Sequence, residues 1–575
     1  MVPELTPFEK LISFTRTSAA TYVNSAGNIV TTPASKNLLT WTEVFSNAAW
    51  SKNNSTITAN SVAAPDGTMT ADTLVEDTAN AAHVVQQSAT LAAVAHTFSV
   101  YLKAKERSWA QVLNGTIANG FAYFDLATGA VGTVGAGVSA TAITPVGNGW
   151  YRCSIAFTAS SGGNIMAVRT ASANGTGLYL GDGTSGIFIW GAQLEQASAA
   201  TSYTKNDGGL FPARFDYDPV TLQPRGLLIE EQRTNLLPRS EEFNNSDWSK
   251  FAGTVSANST ISPDGTADAD TFIEDTSTAA HYAARAASWT AGTAYTLSVF
   301  AKETGAGAKR YLSAFFPSAA FGVQGRAAID LATGEVVANG VTATATRFAN
   351  GWWRLTITAV ATATTSSATG FVISDTALNG GNISARTGDG TSGIFVWGAQ
   401  LEAASFATSY IPTAGSQVTR AADQASIVAP NFAPWYNQSE GTFVVEAVTQ
   451  KPTSLGATAI AIDASDGGIN NRHYIGVVSA SAEVRTANGG SVQSSLTQAY
   501  TANVIEKYAY AMKANDFAFA RNGSMVGTDT SGSMPTIDRM FIGNAAGSTA
   551  YFNGHIRRIS YYPIALHAQV QALSA

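Results

Sequence analysis

Residues 181–195 read GDGTSGIFIWGAQLE and residues 388–402 read GDGTSGIFVWGAQLE, so fourteen of fifteen positions agree across an offset of 207 residues. A match of that length excludes chance and means that the chain holds two copies of one folding unit. Upstream motifs are collinear with it. FSNAAWSK (45–52) matches FNNSDWSK (243–250), Pro65–Thr68 matches Pro263–Thr266, Ala71–Thr73 matches Ala269–Thr271, and Glu76–Thr78 matches Glu274–Thr276. His83 matches His281, Asp125–Gly129 matches Asp330–Gly334, and Asn148–Arg152 matches Asn350–Arg354. Thr201–Tyr203 and Thr408–Tyr410 close the copies, each about 170 residues long and thus the size of one domain.

The periodicity inside a copy is that of strands. Thr97–Lys103 and Thr296–Lys302 alternate and then become apolar on both faces, and Pro-Asp-Gly, Ala-Thr-Gly and Gly-Asn-Gly turns separate such runs. No stretch of 12 residues carries a clean helical stripe; only Ala565–Leu573 reads as helix. Strands at this spacing predict a two-sheet sandwich. A chain of 575 residues exceeds one core, so three or four domains are expected.

Charged residues make up 13%, the net charge is −7, and no basic stripe occurs, which argues against a nucleic-acid partner. Cys153 is the only cysteine, so neither an intrachain disulfide nor a cysteine zinc cluster can form; its strand setting predicts a buried, inert thiol. The start, MVPELTPFEKLISF, lacks the pattern of a signal peptide, and no apolar run approaches the ~18 residues of a membrane span. The expectation is a protein made in a host cytoplasm, without membrane insertion.

The repeated order of motifs, F…W, APDGT…TAD…ED, FSVYLKA, NGWYR and FIWGAQLE…TSY, resembles a module common in structural proteins of tailed phages. That module is similar to the jelly-roll carbohydrate-binding modules of glycoside hydrolases. Residues 14–29 resemble the leader that precedes such modules, and its continuation, RFDYDP and GLLIEEQRTNL, occurs only at 214–219 and 226–236. The first module therefore reads as inserted into the leader. Residues 1–36 and 206–234 are expected to pack together as a docking collar or inter-module clamp, with residues near Arg16 and Tyr22 against residues near Phe215 and Leu228. The modules span 37–205 and 235–412. Residues 551–563 resemble the closing strand of concanavalin-like, laminin-G-type sandwiches, which assigns 417–575 to a third module. The fold class implied is all-β: tandem jelly-roll sandwiches plus a concanavalin-like sandwich.

The resemblance implies a virion appendage (tail fibre, spike or head fibre) at the virion surface. It would attach reversibly to host polysaccharide, contact other virion proteins through its N-terminal segment, and form a homo-oligomer, with a trimer favoured. The alternative is a purely architectural capsid or tail component. No enzyme signature occurs, and the adjacent carboxylates Glu76-Asp77 and Glu274-Asp275 point to opposite faces of a strand. Trp50, Trp150, Trp190 and their counterparts Trp248, Trp352 and Trp397 sit in the best-matched strands and are expected in cores. Trp109 beside Arg107 and Tyr311 beside Arg310 form either sugar-stacking platforms or half-buried strand aromatics. In the last module His473 and Tyr474, with Asp463, Asp466 and Asn471, line a loop-end site or an ordinary polar loop. Asp182 with Glu195, and Asp389 with Glu402, could hold a structural calcium of the kind related jelly rolls carry, or could close tight turns.

Overall fold

The structure, a computed structural model, describes residues 12–33, 35–208, 211–305, 311–375, 385–428, 431–451, 458–546 and 550–575. Strand accounts for 54% of it and helix for 3%. The first repeat builds two six-stranded antiparallel sheets. One runs Ala130–Val134, Phe121–Asp125, Trp109–Asn114, Gly162–Ala171, Val84–Leu91, Ser51–Asn53. The other runs Ala140–Gly147, Trp150–Thr158, Ala95–Ala104, Gly186–Glu195, Ala71–Glu76, Ser55–Val62. The second repeat reproduces both orders strand for strand, as Val336–Asn339, Arg326–Asp330, Tyr311–Phe315, Thr365–Ser374, His281–Trp289, Ser249–Phe251 and as Thr342–Arg347, Trp353–Val360, Ala294–Glu303, Gly393–Glu402, Ala269–Glu274, Gly253–Thr260.

The repeated motifs carry specific structural tasks. Phe98, Val100, Leu102, Ile187, Ile189 and Leu194 fill the space between the sheets, as their counterparts do in the second copy. The Asp72 carboxylate accepts from the N–H of Phe45 (2.9 Å) and of Asn60 (2.8 Å), and Asp270 does the same for Phe243 and Asn258. It thereby ties the Phe…Trp turn to a left-handed asparagine in the neighbouring strand. Asn37 and Asn235 each latch the start of a copy to its end: their amides donate to the carbonyls of Thr204 and Ile411. Gly191 and Gly398 sit at φ of +60° and +61° in a bulge of the last long strand, where a Cβ would lie 2.9 Å from the Tyr101 or Phe300 ring. Only glycine satisfies both demands. Cys153 is fully buried in the first core, and burial pushes its thiol well above the ordinary range.

The third sandwich pairs two seven-stranded sheets. One runs Ser13–Thr15, Gln424–Val428, Arg539–Ile542, Thr458–Ser465, Arg472–Val478, Ser481–Asn488, Ser491–Ala499; the other runs Arg214–Tyr217, Pro224–Ile229, Gly554–Tyr562, Glu440–Thr449, Glu506–Lys513, Asp516–Arg521, Ser524–Asp529. The leader strands extend both sheets, and Ile12, Leu227 and Ile229 lie in the same core as Phe443, Tyr508 and Ile542. A strand with one apolar face and a free edge gains most by joining a sheet, so the leader completes the terminal sandwich. The short helix Val570–Leu573 packs Val570 on the outer face of that sandwich against Val444 and Ala509.

Leader, second copy and third sandwich meet at a dry cluster of ions. Asp423 accepts from Arg16 (2.8 Å) and Arg214 (2.5 Å), and Glu230 from Arg214 (2.7 Å) and Arg420 (2.8 Å), with every side chain at most 5% exposed. Ser409 of the second copy donates its N–H and hydroxyl to Glu230, both at 2.7 Å. Burial alone would raise the Glu230 carboxyl, but Arg420, Arg214 and Ser409 outweigh it and hold it far below the usual range. The stability it contributes is thus present above the unfolded pKa, near 4.5, and fades as pH falls below it.

Two outcomes are expected. Asp423→Asn leaves buried Arg16 without a carboxylate and Arg214 with Glu230 alone, and should cost about 3–5 kcal/mol in chemical denaturation. Replacing residues 37–205 by a short linker should leave a folded remainder with a cooperative melt, because the ends of the first copy touch: the Asn206 amide donates to the Asn37 carbonyl at 3.1 Å.

Candidate functional site

In the terminal sandwich the loop-end site does not form. His473 is 1% exposed, bonds Thr486 Oγ1 at 2.8 Å, and is pushed by burial down to about 3, which makes it a neutral core group. Tyr474 points to the opposite face and is 2% exposed, flanked by the guanidiniums of Arg472 and Arg485 at 4.6 and 5.6 Å from its ring centre. Burial raises Asp463 to about 6, and Asp466 bonds Asn471 and Gly468. Alternation along the strand separates His473 from Tyr474, so the two cannot share a ligand.

The calcium pairs do not converge either. Asp182 accepts from the N–H and hydroxyl of both Thr184 and Ser185, and Asp389 from those of Thr391 and Ser392. Those four donors hold each carboxylate well below its ordinary pKa. Glu195 and Glu402 lie at the far ends of ten-residue strands, roughly 30 Å away. They are buried and accept from Gln193 and Thr201, and from Gln400 and Thr408. Among the described residues no group of three His, Cys, Asp or Glu side chains forms a metal cluster. The turn is of the self-bonding kind that Asp favours.

Arg107 does not accompany Trp109. Its guanidinium pairs with buried Glu76 (Nε to Oε2, 2.9 Å) and lies 5.2 Å from the ring centre of Tyr179, whose hydroxyl also donates to Glu76. In the second copy Arg386 stands at the position of Tyr179 and pairs with Glu274 at 2.5 Å. The carboxylate is retained and its cation comes from a different strand, the mark of a structural ion pair. Arg310 lies outside the described residues. Trp109 is half-buried on the outer face of its sheet, packed where a side chain at Gly132 would meet both its ring and Asn174. Tyr311 occupies the same face of the second copy, in register with Asp330 and Ser374. The six repeated tryptophans are at most 4% exposed.

A further candidate was not legible as a motif. On the outer face of the Ala95–Ala104 sheet, Tyr101, Thr144, Val146, Arg152 and Ser154 border a groove of about 390 Å3. Its floor and far wall are small: Ala140, Ala142, Ala156, Ala199 and Ala200. Arg152 lies 5.5 Å from the Tyr101 ring centre and donates to Thr201 O (2.5 Å) and Ser99 Oγ (2.9 Å), while its Nε has no partner. Tyr101 packs edge-on to Trp190 and Tyr203, which fixes its ring.

The second copy closes the equivalent face. Phe300, Phe348 and Phe406 stand where the first copy has Tyr101, Val146 and Ala199. The leader hairpin Thr21–Val23/Ile29–Thr31 inserts Val23 and Ile29 among Phe300, Phe348, Trp352, Trp397 and Tyr410. The remaining cavity is about 130 Å3. One sandwich face is therefore an interior seam and its twin, with Val146 39% exposed, is open.

No protein-family model matches the chain, and no curated protein does. Among solved structures, the CBM40 of Ruminococcus gnavus IT-sialidase matches at TM-score 0.22 and 18% identity over 26% of this chain and 89% of that one. The same module bound to α2,3 sialyllactose gives 0.23 and 19%, over the same shares. The binding domain of botulinum neurotoxin DC in complex with rat synaptotagmin II gives 0.22 and 11%, over 27% of this chain and 40% of that one. Likenesses of this extent assign no function.

Because the Asp182 and Asp389 oxygens are held by their own turns, the thermal midpoint is expected to be the same in millimolar calcium and in chelator. A calcium-dependent rise in differential scanning calorimetry would show an ion at these loops.

Proposed function

We propose that this chain is a non-catalytic, glycan-binding appendage of a phage or phage-like particle, displayed at the virion surface and adhering reversibly to host polysaccharide. The observation that carries the binding role is the open groove of the first sandwich. It offers a fixed tyrosine ring against which the C–H face of a pyranose can stack, the Arg152 guanidinium beside that ring, and Ser and Thr hydroxyls over an alanine floor. Its volume falls in the range of small-ligand pockets. The particle assignment rests on the order of motifs and on the leader that the first copy interrupts.

A single such site is weak, so adhesion would draw on several copies, and a homotrimer is the favoured assembly. Size-exclusion chromatography with light scattering reads this directly; a monomer at micromolar concentration contradicts it. The architectural alternative is favoured by one feature, the leader hairpin filling the twin face. On that reading the open groove receives an equivalent hairpin from a neighbouring virion protein.

Point variants separate the two, whereas truncation at residue 417 would strip the leader strands of their sheets. Tyr101→Ala and Arg152→Ala should leave the melt cooperative and weaken adhesion of the purified protein to host envelopes, without release of sugar. A stacking contact of about 0.5–1.5 kcal/mol implies a severalfold loss per site, compounded when several copies engage. Unchanged adhesion to capsulated and capsule-free cells alike would favour the architectural role.

A further inference from the structure

The second copy carries another ligand-like feature, on the outer face of its opposite sheet. In the strands Tyr311–Phe315 and Arg326–Asp330, Leu312, Ala314, Ala327 and Ile329 point into the core. Phe315 and Arg326, direct cross-strand neighbours, therefore point outward. Phe315 meets Tyr282 edge-on at 6.3 Å, across the strand that holds Gly370 at this level. Tyr282 in turn stacks on Phe251 at 5.1 Å with 20° between planes, and Phe251 is 51% exposed. The four side chains form a track across five strands, roughly 19 Å at the usual strand spacing, with Phe315 itself buried at 8% exposure beside Tyr282.

Arg326 ends that track without a counter-charge. It is 8% exposed, its Nε has no hydrogen-bond partner, and among the described residues no carboxylate lies within ion-pair distance. Burial alone lowers its pKa, with no acid opposing the shift. A guanidinium desolvated without a partner is costly in the free protein, and an anion arriving there would find it unsatisfied. The first copy shows a related arrangement from different positions: Arg169, half-buried beside Tyr123 on the same outer face, bonds only Gln111 at 3.2 Å. The aromatic residues of the second copy are absent there, since Asn53, Val84 and Leu113 replace Phe251, Tyr282 and Phe315.

We propose that the Phe251–Tyr282–Phe315–Arg326 track binds an acidic oligosaccharide, its pyranose rings on Phe251 and Tyr282, with buried Phe315 supporting Tyr282, and a carboxylate on Arg326. The inference borrows from the glycan-binding reading only the class of ligand; the surface is a different one. The length of the track selects a segment several sugars long over a monosaccharide, and the lone cation selects a charged polymer over a neutral one.

Calorimetric titration of the full chain with oligogalacturonate and with an α2,8-linked sialic acid oligomer tests this, with carboxyl-reduced oligogalacturonate as the neutral control. Binding of at least one acidic probe is expected, with the reduced control much weaker. Arg326→Gln should weaken it about 10- to 100-fold, the scale of a lost charged hydrogen bond. Phe251→Ala should weaken it severalfold, and Leu178→Ala, at an exposed side chain of the first copy, should leave it unchanged. Arg326→Met should lose the ligand while raising the thermal midpoint, because it removes an unpaired buried charge; this separates loss of a site from loss of fold. No binding of either acidic probe, equal binding of acidic and reduced probes, or an Arg326→Gln affinity equal to that of the parent overturns the proposal. If host polysaccharide is still bound through Tyr101 in that event, only this inference fails and the groove assignment stands.

Discussion

The arrangement of the whole chain depends on five buried ionic side chains. Arg16, Arg214 and Arg420 come from three separate stretches of sequence, with Asp423 three residues after Arg420 and Glu230 sixteen after Arg214. Three cations against two anions leave an excess positive charge, taken up by backbone carbonyls: Arg214 donates to Thr21 O, Arg16 to Pro212 O, and Arg420 to Glu231 O. Desolvating such groups is expensive unless they are paired, so the cluster forms only when leader, second copy and terminal sandwich are all in place, even though the Nε of Arg214 and of Arg420 finds no acceptor. It works as a registry device, reporting correct assembly of segments 400 residues apart.

That registry has a consequence for the two jelly rolls. The second is clamped: Ser409 reaches into the ion cluster, Thr21 Oγ1 donates to the Tyr410 carbonyl, and the leader hairpin covers its aromatic face. The first shares the fold and most of the motif residues but hangs from two adjacent strands of chain. Duplication has thus left one copy for construction and one with a face to spare. The differences lie in side-chain volume, Phe348 against Val146 and Phe406 against Ala199, because a groove opens wherever a large side chain is replaced by a small one over a rigid sheet.

Much of this was readable in advance. The offset of the repeats, the strand periodicity and the assignment of Trp50, Trp150 and Trp190 to buried positions follow from local pattern, since period-2 apolarity and Gly-Asp turns report on neighbours in sequence. The interrupted leader was legible as well, but its destination was not: pairing of Phe14 with Ala425 and of Leu228 with His555 joins residues that no local signal connects. The candidate sites failed for the same reason. Arg107 stands two residues from Trp109, yet the strand and its loop turn it toward Glu76. His473 and Tyr474 are adjacent and face opposite ways.

By itself the sequence determined that the protein is all-β and that it holds two copies of one sandwich, because the first rests on contacts within a few residues and the second on the count of identical positions. Tertiary structure alone decided that the leader completes the third sandwich, that one jelly-roll face is sealed and the other open, and that Arg326 has no ion-pair partner among the described residues. Those outcomes depend on which surfaces meet and which charges are desolvated together, and burial is a property of the assembled chain that no short stretch of residues encodes.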